Sequence, residues 1–350
     1  MKIFLSAFLN NNFGDDLMIR LLCRSFPEHI FELENPAKDL LPQFSDIENL
    51  RLSPYSTKQM SRVNPCPYDL FLKIGGSIFI IMRRGSLKRR FFEWKSVERI
   101  RKNGCRIATI GCNTGPFYLK AAEWVASGEL RQNDLVTVRD KKSLSFLQKH
   151  AKKVHCEYYP DMLLSLGIKP FTGQRRGMCV STFGMKGKET PGYFEKMAEA
   201  IQLFYDKTGE KTTLLCFEND EETDIHAAKR IKEIAGDCID KTIIHKGDGS
   251  DIIEAVSRSR LIISARFHSA IIAVRCNTPL VPVVYSDKTE NALSDYGYRG
   301  ARYRMDRIEE TPAHRLIAAE GFYPEECFEQ AKGHLEALGR LIDSMENGTA

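Results

Sequence analysis

The sequence predicts an α/β protein with two doubly wound domains that face each other across a cleft. Apolar runs of strand length alternate with segments of helical periodicity from one end of the chain to the other. This alternation restarts after a turn-rich stretch between Pro170 and Gly177. The length of 350 residues also corresponds to about two ordinary domains.

The first half of the chain contains six predicted strands and four predicted helices. The strands are Lys2–Ala7, His29–Leu33, Asp69–Ile74, Cys105–Ile110, Leu135–Arg139 and Val154–Tyr159. The helices are Asp16–Arg24, Leu87–Lys102, Lys120–Ser127 and Lys141–His150. Because strands that alternate with helices form βαβ units, residues 1–172 are predicted to form a Rossmann-like domain with a mostly parallel sheet.

The second half repeats the pattern. Its predicted strands are Met178–Phe183, Thr212–Phe217, Lys241–His245, Leu261–Ala265 and Leu280–Tyr285. Its predicted helices are Pro191–Lys207, Glu222–Ala235, Ser250–Ser257 and His268–Val274. We expect residues 173–300 to form a second Rossmann-like domain, followed by a polar extension and a terminal amphipathic helix in residues 301–350. Ligands usually bind at the carboxyl ends of the strands in such sheets.

Composition excludes several classes of protein. Hydrophobic residues make up 43% and charged residues 28%, which is typical of a folded globular chain. A net charge of +5 is too small to predict nucleic-acid binding. The ten cysteines form no C-x-x-C pair, and the histidines form no H-E-x-x-H pattern. We therefore expect free thiols, no metal and no cofactor.

The chain also lacks an obvious membrane-spanning segment. Its N-terminus is interpreted as a buried strand rather than a signal peptide. The longest apolar run, Ile74–Met82, is shorter than the roughly 20 residues of a transmembrane helix. We expect a cytoplasmic protein.

The first strand-to-helix turn, residues 10–16, contains Asn12, Gly14 and Asp15. Glycine permits a tight turn, and an Asn or Asp side chain can cap the following helix. The alternative is that Asn12 and Asp15 bind sugar hydroxyls, in which case the carboxylate could act as a general base. The sequence leaves both interpretations open.

Two further turns are rich in glycine. Gly75, Gly76 and Ser77 follow one predicted strand, and Asn113 and Gly115 follow the next. Paired glycines let backbone N–H groups approach an anion or a sugar closely. Each turn is equally compatible with a purely structural role.

The strand Leu135–Arg139 ends in Arg139 and is followed by Asp140. Asp140 is placed to cap the next helix. An arginine at the carboxyl end of a parallel strand is expected to face the cleft, and the alternative is a solvated surface charge.

The most informative turn combines Arg266, His268 and Ser269 where a strand ends and an apolar helix begins. A helix N-terminus attracts anions, and arginine adds a fork that fits phosphate or carboxylate. Histidine is suited to proton transfer near neutral pH. This pattern favours an anion site over a capped helix with a packed histidine.

A basic and aromatic segment, residues 83–95, stands apart from these turns. It is interpreted either as a solvated helix face or as a patch that contacts an anionic membrane surface.

The motifs in these turns, and their order along the chain, resemble those of the polysaccharide pyruvyl transferase family. The motifs are N-x-G-D, D-x-x-x-x-x-G-G-S, G-x-x-x-G-P-F, V-x-V-R-D, Y-x-P-D, R-F-H-S-A-I-I-A and P-x-V-P-V-V-Y-S-D-K, the last ending at Lys288. They span Met1 to Asp295. The resemblance implies a fold similar to glycosyltransferase-B enzymes and phosphoenolpyruvate as donor. The product would be a pyruvate ketal on two hydroxyls of a sugar.

The resemblance also assigns roles to residues. It implies that Arg139, Arg266 and His268 hold or activate phosphoenolpyruvate. It places the acceptor in the N-terminal domain and phosphoenolpyruvate in the C-terminal domain. The acceptor would be a surface polysaccharide or its lipid-linked precursor, at the inner face of the membrane.

Two other functions fit the same sequence. A glycosyltransferase that uses a nucleotide sugar would share the architecture, since fold alone does not specify function. A non-catalytic relative that binds glycan would also keep the polar turns.

Overall fold

Two parallel β-sheets organise the chain, and each sheet belongs to its own unit. The computed structural model describes residues 1–8, 11–34, 41–187 and 191–348. The first unit consists of Met1–Leu9, Leu17–Met162 and Glu329–Ala350. The second unit consists of Asn10–Asp16 and Leu163–Phe328. The prediction of two α/β domains with parallel sheets is confirmed.

The first unit contains a seven-stranded sheet and a small two-stranded sheet. The order of the large sheet is β3-β2-β1-β4-β6-β8-β9, and the small sheet pairs β5 with β7. The strands are β1 (Lys2–Ala7), β2 (Ile30–Leu33), β3 (Leu50–Leu52), β4 (Leu70–Ile74), β5 (Phe79–Ile81), β6 (Arg106–Cys112), β7 (Thr114–Phe117), β8 (Leu135–Val138) and β9 (His155–Tyr158). The central strand β4 is buried along its whole length, as expected for a parallel sheet covered on both faces.

Helices cover this sheet. They are α1 (Phe13–Ser25), which begins in the second unit, α2 (Thr57–Met60), α3 (Arg84–Lys102), α4 (Lys120–Leu130), α5 (Lys141–His150) and α13 (Gly333–Glu346). Asp140 accepts a hydrogen bond from the Ser143 backbone and caps α5, as predicted. None of the helices in the described residues is long and apolar enough to cross a membrane.

The second unit contains a six-stranded parallel sheet of order β12-β11-β10-β13-β14-β15. Its strands are β10 (Met178–Ser181), β11 (Thr212–Cys216), β12 (Ile239–Ile244), β13 (Leu261–Ser264), β14 (Leu280–Val284) and β15 (Tyr303–Arg304). Its helices are α6 (Tyr193–Thr208), α7 (Asp224–Ala235), α8 (Ser250–Arg258), α9 (Phe267–Arg275), α10 (Asp287–Asp295), α11 (Ala313–Leu316) and α12 (Glu325–Ala331), which ends in the first unit. Buried residues of α6 and α7 form one core with the sheet.

The observed elements differ from the predicted ones mainly where the elements are short. The sequence did not predict β3, β5, β7, β15, α2, α10 or α11. Most of these contain two to five residues, too few to show a hydrophobic period. The predicted terminal helix Pro324–Met345 is two helices, α12 and α13.

The division into units also differs from the expected boundaries. The chain passes into the second unit after Met162 rather than near residue 172, and its last segment returns to the first unit. The turn at residues 11–16 belongs to the second unit although it follows the first strand. Sequence reasoning assigns neighbouring residues to one domain, whereas these segments join the unit in which their polar groups find partners.

All ten cysteines are free thiols, as expected. Seven of them are buried. Burial raises the pKa of Cys112 and Cys179 to about 12, so these thiols stay protonated and unreactive at neutral pH.

A buried histidine attaches α13 to the first sheet. His334 is fully buried, and its Nε2 lies 3.0 Å from the Pro160 carbonyl, which can only accept. Nε2 therefore carries the proton, and Nδ1 accepts from the Thr137 hydroxyl at 2.7 Å. The same hydroxyl oxygen accepts from the Gly111 N–H at 3.1 Å. Burial lowers the pKa of His334 from 6.5 to about 4, so the imidazole is neutral.

This arrangement predicts that acid destabilises the first unit. Between pH 6.5 and about 4 the unfolded His334 binds a proton that the folded residue resists, so the free energy of unfolding falls as pH falls. The full loss from this residue is about 3 kcal/mol. Urea unfolding followed by tryptophan fluorescence measures it, because both tryptophans, Trp94 and Trp124, lie in the first unit.

The variant His334→Gln should flatten this pH dependence. The matched control His314→Gln alters an exposed histidine and should keep the wild-type slope. Equal slopes in wild type and His334→Gln would contradict the assignment.

Candidate functional site

The carboxyl ends of the strands in the second unit carry a cluster of charged and aromatic side chains. Strands β10, β11, β12, β13 and β14 are parallel, so the residues that follow them meet at one edge of the sheet. The residues that form this cluster are Asn12, Gly14, Asp16, Phe183, Glu218, Asp224, His245, Arg266, His268, Tyr285 and Lys288. We call this cluster the α9 site, because α9 begins within it.

The turn before α1 extends the end of β11. The Phe13 N–H donates to the Phe217 carbonyl at 3.0 Å, and the Asn219 N–H donates to the Asn11 carbonyl at 3.2 Å. The Asn12 amide oxygen accepts from the Gly14 N–H at 3.2 Å, and its amide nitrogen donates to Glu218 at 3.3 Å. The predicted capping role of Asn12 is therefore confirmed. Asn10 lies outside the described residues.

A buried pair fixes the next part of this turn. Asp16 Oδ2 lies 2.9 Å from His245 Nε2, and both side chains are almost completely buried. The Phe13 ring packs edge-on against Phe217 and His245, with centroids 4.8 and 5.3 Å apart. These contacts fix the start of α1 to the ends of β11 and β12.

Arg266 joins two acidic side chains. Its Nη1 and Nη2 donate to the two oxygens of Glu218 at 2.8 Å each, a bidentate pairing. Its Nε donates to Asp224 Oδ1 at 3.0 Å, and Nη2 also contacts Asp224. The guanidinium lies 4.7 Å from the centre of the Phe183 ring. The planar group is thus held on several sides.

Two carboxylates share this one guanidinium. Burial raises the pKa of Asp224 to about 6, and the charge of Arg266 opposes that rise. Burial lowers the pKa of Arg266, but Asp224 and Glu218 outweigh it and raise that pKa above its ordinary value. Arg266 therefore stays charged, and its fork is engaged by carboxylates of the protein itself.

His268 lies directly against the backbone of Gly14. A Cβ at position 14 would lie 1.7 Å from Nδ1 of His268 and 2.0 Å from its Cε1. Only glycine leaves room for the imidazole here. Two residues that the sequence assigned to separate turns are therefore neighbours, 254 positions apart.

Lys288 and Tyr285 add a second cationic group to the α9 site. Lys288 Nζ lies 5.3 Å from the centre of the Tyr285 ring and 5.7 Å from that of Phe267. Burial raises the pKa of Tyr285, but the charges of Lys288 and Arg266 outweigh it and lower that pKa below its ordinary value. Both cations therefore act on the same phenol.

The hydroxyl of Ser269 is used inside the protein. Ser269 is fully buried, donates to the Arg266 carbonyl at 2.6 Å and lies 2.7 Å from the Ser264 hydroxyl. This geometry fixes the start of α9. Direct contact between Ser269 and a substrate stays a prediction.

The other predicted residues form a group in the first unit. Gly75 has a φ of 124°, which glycine tolerates. The Gly76 carbonyl accepts from the Asn113 N–H at 2.6 Å, and a Cβ on Gly76 would lie 1.9 Å from Nη2 of Arg139. Ser77 is exposed and Gly115 is partly exposed.

Arg139 corrects one expectation. We expected its guanidinium to face a ligand cleft, but the side chain is only 1% exposed. Its Nε donates to Asn113 at 2.8 Å and its Nη1 donates to Asp161 at 2.7 Å. An arginine buried in this way needs a buried carboxylate partner, which Asp161 supplies. A role for Arg139 in binding phosphoenolpyruvate stays a prediction.

Sequence reasoning assigned no role to several residues of these groups. In the second unit these are Glu218, Asp224 and His245, and in the first unit Asp161, the last residue of the Y-x-P-D motif; each follows a strand or begins a helix. Their position after β9, β11 and β12 could have identified them as site residues, because polar residues there lie at the same edge of the sheet as Arg139 or Arg266.

The contact between Gly14 and His268 predicts the effect of Gly14→Ala. The new methyl group must displace the imidazole, so the ring resonances of His268 in NMR spectra should move and stability should fall by about 1–3 kcal/mol. The matched control is Gly167→Ala, since a Cβ at Gly167 meets nothing within 4 Å. Unchanged His268 resonances in Gly14→Ala would contradict the contact.

Solved structures with a similar fold include UDP-GlcNAc 2-epimerases and a UDP-glucosyltransferase. The UDP-GlcNAc 2-epimerase from Neisseria meningitidis, bound to UDP-GlcNAc, has a TM-score of 0.61 at 10% identity and covers 97% of this chain and 100% of its own. A putative UDP-N-acetylglucosamine 2-epimerase from Listeria monocytogenes has a TM-score of 0.61 at 11% identity, with 100% and 97% covered. A UDP-glucosyltransferase from Polygonum tinctorium has a TM-score of 0.52 at 10% identity, with 98% and 94% covered. At these identities the likeness establishes the glycosyltransferase-B-like fold alone.

The sequence itself gives the family. No curated protein matches the chain. The family model described as polysaccharide pyruvyl transferase matches residues 12–287, from the capping Asn12 to the start of α10. The resemblance predicted from the ordered turns is confirmed, and the chain belongs to the polysaccharide pyruvyl transferase family.

Proposed function

We propose that this chain transfers the pyruvyl group of phosphoenolpyruvate to two hydroxyls of one sugar and forms a ketal. The family supports pyruvyl transfer. The observation that carries the proposal is the position of His268, in the first turn of α9, against Gly14 and close in sequence to Arg266. One site thus combines a proton donor with an environment that attracts anions.

The donor has two anionic groups, a phosphate and a carboxylate. The N-terminus of α9 carries a partial positive charge, and its N-cap residue, Arg266, makes no side-chain capping hydrogen bond. Lys288 adds a full charge near Phe267, the first residue of α9. We assign anion binding to these two features. Arg266 orients Glu218 and Asp224 beside the start of α9.

The chemistry needs one proton donor and no redox partner. Protonated His268 gives its proton to the methylene carbon of phosphoenolpyruvate, and the adjacent carbon becomes electrophilic. A sugar hydroxyl attacks this carbon and returns a proton to His268. The second hydroxyl then attacks, the bond to the phosphate oxygen breaks, and the remaining hydroxyl proton leaves with phosphate. The products are the ketal and inorganic phosphate.

Carboxylates and amides are suitable partners for the hydroxyls of the acceptor. Asn12 and Asp15 stay candidates for this contact, together with Glu218, which Asn12 contacts. In the first unit, the residues that stay candidates for binding an acceptor are Gly75, Gly76, Ser77, Asn113 and Gly115. The acceptor would be a sugar of a surface polysaccharide or of its lipid-linked precursor.

Transfer of a glycosyl group from a nucleotide sugar is the alternative. The structures of similar fold include enzymes that act on UDP-sugars, and their likeness extends to the fold alone. The two functions differ in the donor, so binding of the donor separates them.

Pyruvyl transfer predicts that millimolar phosphoenolpyruvate raises the melting temperature of the chain. Ligand at 100 times its Kd stabilises the native state by about 2.7 kcal/mol. Arg266→Lys should abolish the rise, because an ammonium cannot hold both carboxylates in a planar fork, and a carboxylate left unpaired beside α9 repels the anionic donor. His314→Gln, an exposed change, should keep it. A rise with a nucleotide sugar and none with phosphoenolpyruvate would replace pyruvyl transfer by glycosyl transfer.

The assignment of His268 as the acid predicts the effect of His268→Asn. We expect phosphate release from phosphoenolpyruvate, measured with a panel of hexosides as acceptors, to fall by about 10²–10⁴-fold. Binding of phosphoenolpyruvate should persist, because asparagine removes the acid and leaves α9 and Lys288 in place. Turnover close to that of the wild type would rule out His268 as the acid.

A further inference from the structure

A groove between α3 and α4 of the first unit displays aromatic side chains to solvent. Phe92 is 58% exposed, Trp124 is 54% exposed and Leu119 is 39% exposed. These are three of the seven large hydrophobic side chains that are exposed in the described part of the chain. All three line one groove of about 550 Å³, together with Leu87, Phe91 and Tyr118. Such a concentration of exposed apolar surface usually marks an interaction site.

The rings of this groove are held in place by one another. Trp94 and Trp124 pack edge to face with centroids 4.9 Å apart, and Phe91 lies 5.8 Å from Trp94 and 6.4 Å from Trp124. Gly128 makes room for this packing, since a Cβ there would lie 2.5 Å from the Trp94 ring. Trp124 is therefore positioned by packing although half of its surface is in solvent.

Buried ion pairs fix the two helices beneath the groove. Glu93 of α3 lies 2.5 Å from Lys73 and 2.7 Å from Arg90. Arg90 also lies 2.6 Å from Glu129 of α4, which contacts Lys73 as well. Two cations and two carboxylates balance within the unit. The groove therefore lies on two helices whose positions are fixed by buried ion pairs.

Cations surround the groove on its exposed side. Arg84 and Lys88 line it, and Arg83 and Lys120 lie next to it in the sequence; all four are exposed. None of the four forms an ion pair with another residue that the structure describes. In the second half of α3, by contrast, Lys95 and Lys102 pair with Glu98, and Arg101 pairs with Asp134. In the second half only Arg99 lacks an ion pair within the described residues, so most of the uncompensated charge of α3 lies in the half that carries the groove.

We propose that this surface docks on an anionic phospholipid bilayer, with Phe92, Leu119 and Trp124 at the boundary between headgroups and acyl chains. Aromatic rings favour that depth, and nearby Lys and Arg side chains are attracted to anionic headgroups. A second copy of this chain fits less well, because a two-fold contact would bring the cations of both copies together. The proposal does not depend on the chemistry of the α9 site.

Vesicle binding tests the proposal. The full chain is mixed with phosphatidylcholine vesicles, with and without phosphatidylglycerol, and bound protein is measured by flotation. We expect binding to the anionic vesicles only, with weakening at high salt. The double variant Arg84→Glu/Lys88→Glu and the variant Phe92→Ser should each weaken binding by about tenfold or more. The control Lys152→Glu/Lys153→Glu changes net charge equally at exposed lysines outside the groove and should bind like wild type.

Tryptophan fluorescence locates the contact. The chain has two tryptophans, Trp94 and Trp124, and both belong to this cluster. Lipids brominated on the acyl chains should quench the fluorescence of the wild type, and Trp124→Phe should remove most of the quenching.

Three results would overturn the proposal. They are absence of binding to anionic vesicles, equal binding by the groove variants and their control, and a dimer in solution that Phe92→Ser dissociates. The last result would identify a second copy as the occupant. Thermal unfolding of each variant, with and without phosphoenolpyruvate, confirms folding and keeps this test separate from the test of pyruvyl transfer.

Discussion

The pairing of Arg266 with Glu218 and Asp224 is the interaction on which the α9 site depends. One guanidinium connects the residue after β13 to the end of β11 and to the first turn of α7, and it covers the Phe183 ring after β10. Glu218 in turn contacts Asn12 of the turn before α1. A planar group with five donors can satisfy these directions together, whereas a lysine offers a single charged point. The site is therefore organised around a charge that the protein itself neutralises.

The buried cations of the first unit are likewise paired with acidic side chains of that unit. Arg139 is satisfied by Asp161 and Asn113, and Lys73 and Arg90 are satisfied by Glu93 and Glu129. Burying a charge without a partner costs several kcal/mol, so each buried cation has an acidic neighbour. By the same reasoning, the uncompensated cations beside the α3–α4 groove are found only where water or a partner can reach them. This contrast distinguishes charges that build the fold from charges available for binding.

Much of the fold could be predicted from the sequence because its signals are local. Strand β14 is a continuous apolar run, and α3 and α6 contain enough residues to show a helical period. The family could also be predicted, since it rests on the order of short motifs along the chain. Strands such as β3 and β15 could not, because two or three residues carry no pattern and form only beside an existing sheet edge.

The candidate site, like the fold, could be predicted from the sequence only in part. The polar turns, including the one with Arg266 and His268, could be recognised from the sequence, since a strand followed by polar residues and then a helix is a local pattern. The contact of Gly14 with His268 is visible only in the folded chain. The same holds for the two carboxylates in the fork of Arg266 and for the burial of Arg139 against Asp161. These partners are distant in sequence. Their pairing depends on strand order and on where each buried charge finds its counterion, and neither can be recognised from a short stretch of sequence.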